Sequence, residues 1–318
     1  MLSKICSKFG LQCLVLVFLC TNLVACSIEK PPSIRIATTV WPGYEPLYIS
    51  KSLGYLDENS FRLIDMNSAS QVMRAFRNNV IDIAGLTLDE VLQLASEGAK
   101  LKIFLVTDFS TGGDAVIGQT EFKEMKDLKG GRIGAENTAL GGYMLSRSLE
   151  LNSLNVKDVT IIPTYSHEME RKFMSGEVDA IVTYEPTKSR VLKVRGNLLF
   201  DSKQMPGEIV DVLVIRKEVF DKRPDVIPQL VDAWYHALSY MINSPQESHD
   251  IINKRLKVGK QEIATMYENI VLPSRSENEL LLNSDDAEHG LVGKIEKLTD
   301  YMMKNGLLHK RPVISQIL

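Results

Sequence analysis

A short alternating run, Ile34-Arg35-Ile36-Ala37-Thr38-Thr39-Val40, passes directly into Trp41-Pro42-Gly43-Tyr44, and a helix-forming stretch, Leu47 to Leu56, follows at once. A strand, an aromatic turn and a helix whose free N–H groups face that turn is how open α/β sheets build ligand crevices. Pro42 and Gly43 make the turn, and Trp41 and Tyr44 offer flat apolar faces with a polar edge. An exposed tight turn is a poor place to hide two large rings, so both are read as ligand contacts.

The unit recurs. Phe61 to Met66 alternates as a second strand, Asn67 to Ser70 caps the helix that follows, and Asn79 to Leu86 is a third, buried strand. Leu101 to Thr107 is a fourth strand, leading into the polar, glycine-rich segment Asp108 to Asp114. Beyond it the pattern starts again with Arg132-Ile133-Gly134, a helix after Asn137-Thr138, a strand at Val159 to Pro163, and Gly176-Glu177-Val178-Asp179-Ala180-Ile181-Val182-Thr183. That last stretch echoes Asn78-Asn79-Val80-Ile81-Asp82-Ile83-Ala84-Gly85: a polar helix exit, an Asp, a buried strand and a polar loop. Gly207 to Arg216 alternates and is β-branched, and is read as the return of the chain to the first half. The tail is mostly helical, with helices at 226–243, 261–271 and 290–304, and Trp234 as core. The expectation is an α/β chain of two lobes, lobe I from 34–113 and 212–318 and lobe II from 114–211, joined by two crossings that form a hinge.

The total of 318 residues suits about two domains. Met1 to Ala25 has the parts of a secretory leader: Lys4 and Lys8, an apolar core from Leu11 to Cys20, and small residues before Cys26. Leu23-Val24-Ala25-Cys26 resembles the bacterial lipobox, which implies a diacylglycerol on Cys26; a plain signal peptide or an uncleaved anchor is the alternative. Ser27 after Cys26 resembles lipoproteins that are not held at the inner membrane, and residues 26–33 read as a tether. All four cysteines lie by position 26, so the body has no disulfide framework, cysteine nucleophile or thiolate metal site. The net charge of −3 counts Lys4 and Lys8, so losing both leaves −5. An acidic body gives no electrostatic reason to expect nucleic acid.

Strand ends and helix starts gather on one edge of such a sheet. Trp41, Tyr44, Ser68, Ser70, Thr87 and Asp108 are expected there from lobe I, and Asn137, Thr138, Tyr165, Tyr184 and Glu185 from lobe II, with Asp114 and Asp211 on the crossings. Ser68 and Ser70 read equally well as helix caps. The charged members of these loops are Glu45, Asp89, Asp108, Asp114, Glu136, Glu185 and Asp211, with no Arg or Lys among them. Sulfonate or nitrate would have to bind among carboxylates that repel it. Aromatic faces beside acids suit a flat, nitrogen-containing or cationic small molecule. The five histidines show no metal-ligand spacing, and His167 is read as solvated. No catalytic elbow, nucleotide loop or acid/base pair is recognisable, so neither catalysis nor a cofactor is expected.

The lipobox, Trp-Pro-Gly-Tyr-Glu-Pro-Leu-Tyr from Trp41, Asp-Ile-Ala-Gly-Leu-Thr-Leu-Asp-Glu from Asp82, Gly-Gly-Asp from Gly112, Asp-Leu-Lys-Gly from Asp127 and Gly-Glu-Val-Asp-Ala-Ile-Val-Thr-Tyr-Glu-Pro from Gly176 resemble, in order and spacing, a known group. It is that of periplasmic substrate-binding proteins of ABC importers for nitrate, sulfonate, taurine and thiamine-pyrimidine precursors. The resemblance covers about residues 34 to 220. It implies the two-lobed periplasmic-binding-protein fold, type II-like, with one small-molecule ligand in the interlobe cleft, an ABC permease as partner, and a monomeric lipoprotein in the cell envelope. A ligand-sensing lipoprotein docked on a membrane signalling protein is the alternative, and a precursor-synthesis enzyme on the same fold is disfavoured by the leader.

Overall fold

In the computed structural model, which describes residues 32–284, 286 and 290–318, residues Ser33–Leu318 form one compact unit. The expected leader, Cys26, most of the tether and His289 lie outside the described residues. β1 (Ile34–Thr38) buries Ile36 and Ala37, and a turn of 3₁₀ helix at Pro42–Tyr44 leads into α1 (Glu45–Ser52). Pro42 and Pro46 sit in first helical turns, where a missing N–H costs nothing. β2 (Phe61–Asp65), α2 (Ala69–Arg77), β3 (Ile83–Thr87), α3 (Leu88–Ser96) and β4 (Leu101–Ser110) complete the first half. The second contains β5 (Asp114–Gly118), β6 (Arg132–Ala135), α4 (Ala139–Leu151), β7 (Thr160–Pro163), α5 (Ser166–Met174), β8 (Ala180–Tyr184), α6 (Thr187–Val194) and β9 (Asn197–Asp201). β10 (Val210–Arg216) then returns to the first sheet.

The tail runs through α7 (Lys217–Lys222), α8 (Val226–Asn243), α9 (Pro245–Leu256), α10 (Lys260–Tyr267), β11 (Ile270–Val271), α11 (Arg275–Asn283) and α12 (Leu291–Lys304). Here the sequence reading needs a correction: the helix expected to reach Val271 stops at Tyr267. The Asn269 carbonyl accepts from the N–H groups of Thr111 and Gly113, and Ile270 pairs with Ser110. The open edge of β4 takes the segment as a strand, satisfying backbone groups that a longer helix would leave unpaired.

The first sheet has the order β11-β4-β10-β3-β1-β2 and the second β7-β6-β8-β5-β9. In each, three parallel strands are followed by one antiparallel strand that carries the chain across, β10 in the first and β5 in the second. This is the two-lobed α/β architecture the sequence implied. The chain passes between the sheets at 111–113 and 202–209, where Ser110 Oγ and Ser202 Oγ lie 2.8 Å apart and the Gly112 N–H donates to Ser202 Oγ at 2.6 Å. One hydrophobic cluster runs from Val72 through Leu88 and Leu92 to Tyr143, Met144 and Leu298, joining both lobes behind the cleft. Trp234 is fully buried with Ile36, Leu47 and Phe61, as the sequence implied for a core tryptophan.

Candidate functional site

The C-terminal ends of β1, β3 and β8 and the two crossing strands bring their residues to one place between the lobes. A small cavity there is lined by Trp41, Tyr44, Thr87, Glu90, Asp114, Tyr184 and Asp211. A second adjoins it, sharing Glu90, Asp114 and Tyr184 and adding Glu136, Thr138 and Ser166. Each has a volume of about 20 Å³, room for about one water, so the lobes are closed on each other.

Register sets much of this geometry. Asp211 on β10 pairs with Thr87 on β3 and with Asp108 on β4, so two acids stand side by side on neighbouring strands. Asp114 on β5 pairs with Tyr184 on β8. The Trp41 indole N–H donates to Asp108 Oδ2 at 3.0 Å, and the Tyr44 hydroxyl donates to Asp211 Oδ1 at 2.5 Å. Gly43 makes the first of these bonds sterically attainable, since a Cβ there would stand 1.8 Å from Asp108 Oδ2. Trp41 meets Tyr184 edge to face at 5.9 Å, across the cleft. The aromatic turn is thus not exposed as expected: Trp41 and Tyr44 are 4% and 2% exposed, clustered with Ile270, while still lining the cavity.

Burial dominates the acids' electrostatics. It pushes Asp89 and Asp108 up to about 7 and Asp114 to about 6, and holds Glu90 and Asp211 well above the ordinary carboxylate range, with Asp108 adding to the rise at Asp211. Among the described residues, Glu90 Oε1, Asp89 Oδ2, Asp108 Oδ1 and Thr87 Oγ1 are buried without a hydrogen-bond partner. Such groups cost free energy until something donates to them.

Not every expected residue reaches the cavities. Asp108 stands behind Trp41, and Ser68 caps α2, accepting from the Gln71 N–H at 3.3 Å. Ser70 donates to Glu136, and Thr138 both caps α4 and lines the second cavity. Asn137 is exposed, and Tyr165 is exposed and stacked on the exposed His167. Glu185 is buried but turned to Lys188, 3.4 Å away. Glu45 is no cleft acid, because Arg255 of α9 pairs with it and with Asp65 and lies over the Tyr48 ring. Lys188 also corrects the expectation of a cation-free site: it is 6% exposed, donates to the Gly112 carbonyl at 2.7 Å and draws the Asp114 carboxyl down against burial. It sits inside the first turn of α6, so reading the loops alone passed over it. Glu90 and Ser166 were missed as contacts for the same reason, each lying in the first turn of a helix. No group of three or more His, Cys, Asp or Glu among the described residues could hold a metal ion.

Residues 27–256 match the family model described as NMT1-like. The chain belongs to the NMT1-like family. Curated relatives in Brucella abortus and Brucella suis, described only provisionally as binding proteins, are 27% identical over 183 residues, 55% of this chain and 55% of theirs. The chain therefore spans about half the length of the curated relatives it matches. Among solved structures, the alkanesulfonate-binding protein of Xanthomonas axonopodis pv. citri bound to MOPS is 15% identical with a TM-score of 0.77, covering 91% of this chain and 99% of that one. The periplasmic aliphatic sulphonate binding protein of Escherichia coli is 17% identical with a TM-score of 0.73, covering 91% and 98%. The ligand-binding component of an ABC-type import system from Staphylococcus aureus, with zinc bound, is 15% identical with a TM-score of 0.74, covering 91% and 96%. This NMT1-like chain thus has the periplasmic-binding-protein fold, as its sequence implied.

Proposed function

We propose that this NMT1-like protein is the solute-capturing component of an ABC importer, a non-catalytic lipoprotein held at the cell envelope through Cys26. Its ligand is a small organic molecule with a flat face and positively charged or N–H-rich nitrogen, which it delivers to a membrane permease. No helix among the described residues is long and apolar enough to cross a membrane. The observation that carries the ligand class is the buried acid set: Glu90, Asp114 and Asp211 line a cavity walled by Trp41, Tyr44 and Tyr184, and Glu90 Oε1 has no partner. A nitrogen cation satisfies such oxygens, and its π-face suits the rings. The cavities are too small for such a molecule, so entry requires the lobes to part about the crossings at Ser110–Ser202 and to close again.

Two measurements test this reading. Native mass spectrometry of protein purified from its own host should find a nitrogen-bearing small molecule retained. Titration calorimetry should detect an aromatic amidine or an aminopyrimidine and give no heat with taurine or nitrate. Tight taurine or nitrate binding, with none for the nitrogen bases, rejects the ligand class.

A further inference from the structure

Glu136 follows β6 directly and is 6% exposed. Its carboxylate joins the lobes. Oε1 accepts from both the backbone N–H and the hydroxyl of Ser70, at 3.1 and 2.8 Å, and Oε2 accepts from the Ser166 hydroxyl at 2.5 Å. Ser70 is the second residue of α2 in lobe I, and Ser166 the first of α5 in lobe II, each helix nine residues long. The side chain therefore sits between two helix N-termini from opposite lobes, where free N–H groups and the positive end of each dipole favour negative charge. Its backbone is fixed as well: a Cβ on Gly141 would stand 2.2 Å from the Glu136 carbonyl, so α4 approaches it as closely as only glycine allows. Glu136 lines the second cavity beside Glu90, whose Oε1 is buried and unpartnered.

We propose that Glu136 is a specificity-determining residue of the cleft: a built-in anion that occupies the N-termini of α2 and α5 and so turns anionic headgroups away. A free sulfonate or carboxylate entering the cleft finds its favourable donors already taken and meets the unpartnered Glu90 Oε1. The inference rests on the reading of the interlobe cleft as the ligand site, and not on the ligand's own charge.

The test compares wild type, Glu136→Ala and Glu136→Gln as full-length chains, titrated with methanesulfonate at low ionic strength. Glu136→Ala vacates the space and frees Ser70 and Ser166, and should bind methanesulfonate at least about tenfold tighter than wild type, the worth of roughly one charge-assisted hydrogen bond. Glu136→Gln keeps the shape without the charge and should gain in the same direction by less; it decides the matter if the alanine variant does not fold. Equal affinity in wild type and variants, or wild type binding methanesulfonate most tightly, overturns the proposal. Failure of the cation reading shows separately, as silence of wild type toward the nitrogen bases, and leaves the comparison between variants intact.

Discussion

Glu90 shows how a single residue can oppose folding and serve binding. It is 2% exposed, accepts from the Thr87 N–H through Oε2 at 3.3 Å, and leaves Oε1 unpartnered beside Asp89 and Glu136, both of which raise it further after burial. Core packing alone would place a leucine or glutamine there. Glu90→Gln removes the charge at constant shape, so the ligand-free protein should melt a few degrees higher by calorimetry. The same variant should bind a nitrogen base at least about tenfold more weakly, through loss of a charged acceptor in a dry site. Stabilisation with unchanged affinity would make Glu90 a structural acid only. The opposite trends expected here are the usual signature of a functional group kept at a cost to stability.

At the scale of elements, the two lobes repeat a device that the sequence partly disclosed. The echo between Asn78–Gly85 and Gly176–Thr183 was legible as pattern, and the structure gives it a mechanism. Asp82, ahead of β3, accepts from the Arg35 N–H at 2.9 Å and from its guanidinium at 2.9 and 2.8 Å, while Arg35 also reaches the Asn79 carbonyl. Asp179, ahead of β8, does the same with Arg132 at 2.7, 3.2 and 2.7 Å, and Arg132 reaches the Gly176 carbonyl. Asn79 and Gly176 both turn with positive φ, 59° and 73°, which brings the carbonyl to the arginine. The clamps lock β1 to β3 in the first sheet and β6 to β8 in the second. Asp82→Ala should destabilise by about 1–3 kcal/mol, since it leaves part-buried donors unpaired. Asp179→Ala should cost less, its side chain being 25% exposed against 10% for Asp82; denaturant midpoints of the two variants check the order. Strand segments and helix caps were readable because period and caps are local. Arg255 on Glu45, Lys188 in the acid cluster and β11 on the edge of β4 were not, because each joins segments far apart in sequence and no local pattern records the meeting.

For the whole molecule, the decisive quantity is how many protons the closed cleft holds. Asp89 and Glu90 on α3 converge with Asp108 on β4, Asp114 on β5 and Asp211 on β10, with Glu136 and Glu185 facing them and Lys188 the nearby cation. Burial raises all five, to about 6 and about 7 where the rise is moderate, whereas in the unfolded chain they titrate near their ordinary values of about 4. Between about pH 4 and pH 7 the folded protein therefore binds more protons than the unfolded one, and stability falls as pH rises through that window. The ligand-free protein should melt several degrees higher at pH 5 than at pH 8, contrary to proteins whose paired carboxylates are depressed. A nitrogen cation reverses the balance, because it favours the ionised acids and must displace their protons. Its affinity should accordingly rise from pH 5 to pH 8, and calorimetry near pH 6 should show proton release, read as a binding enthalpy that varies with the ionisation enthalpy of the buffer. A melting temperature that climbs steadily with pH in the free protein, or an affinity indifferent to pH, would mean that these acids are compensated within the fold and are not waiting for a ligand.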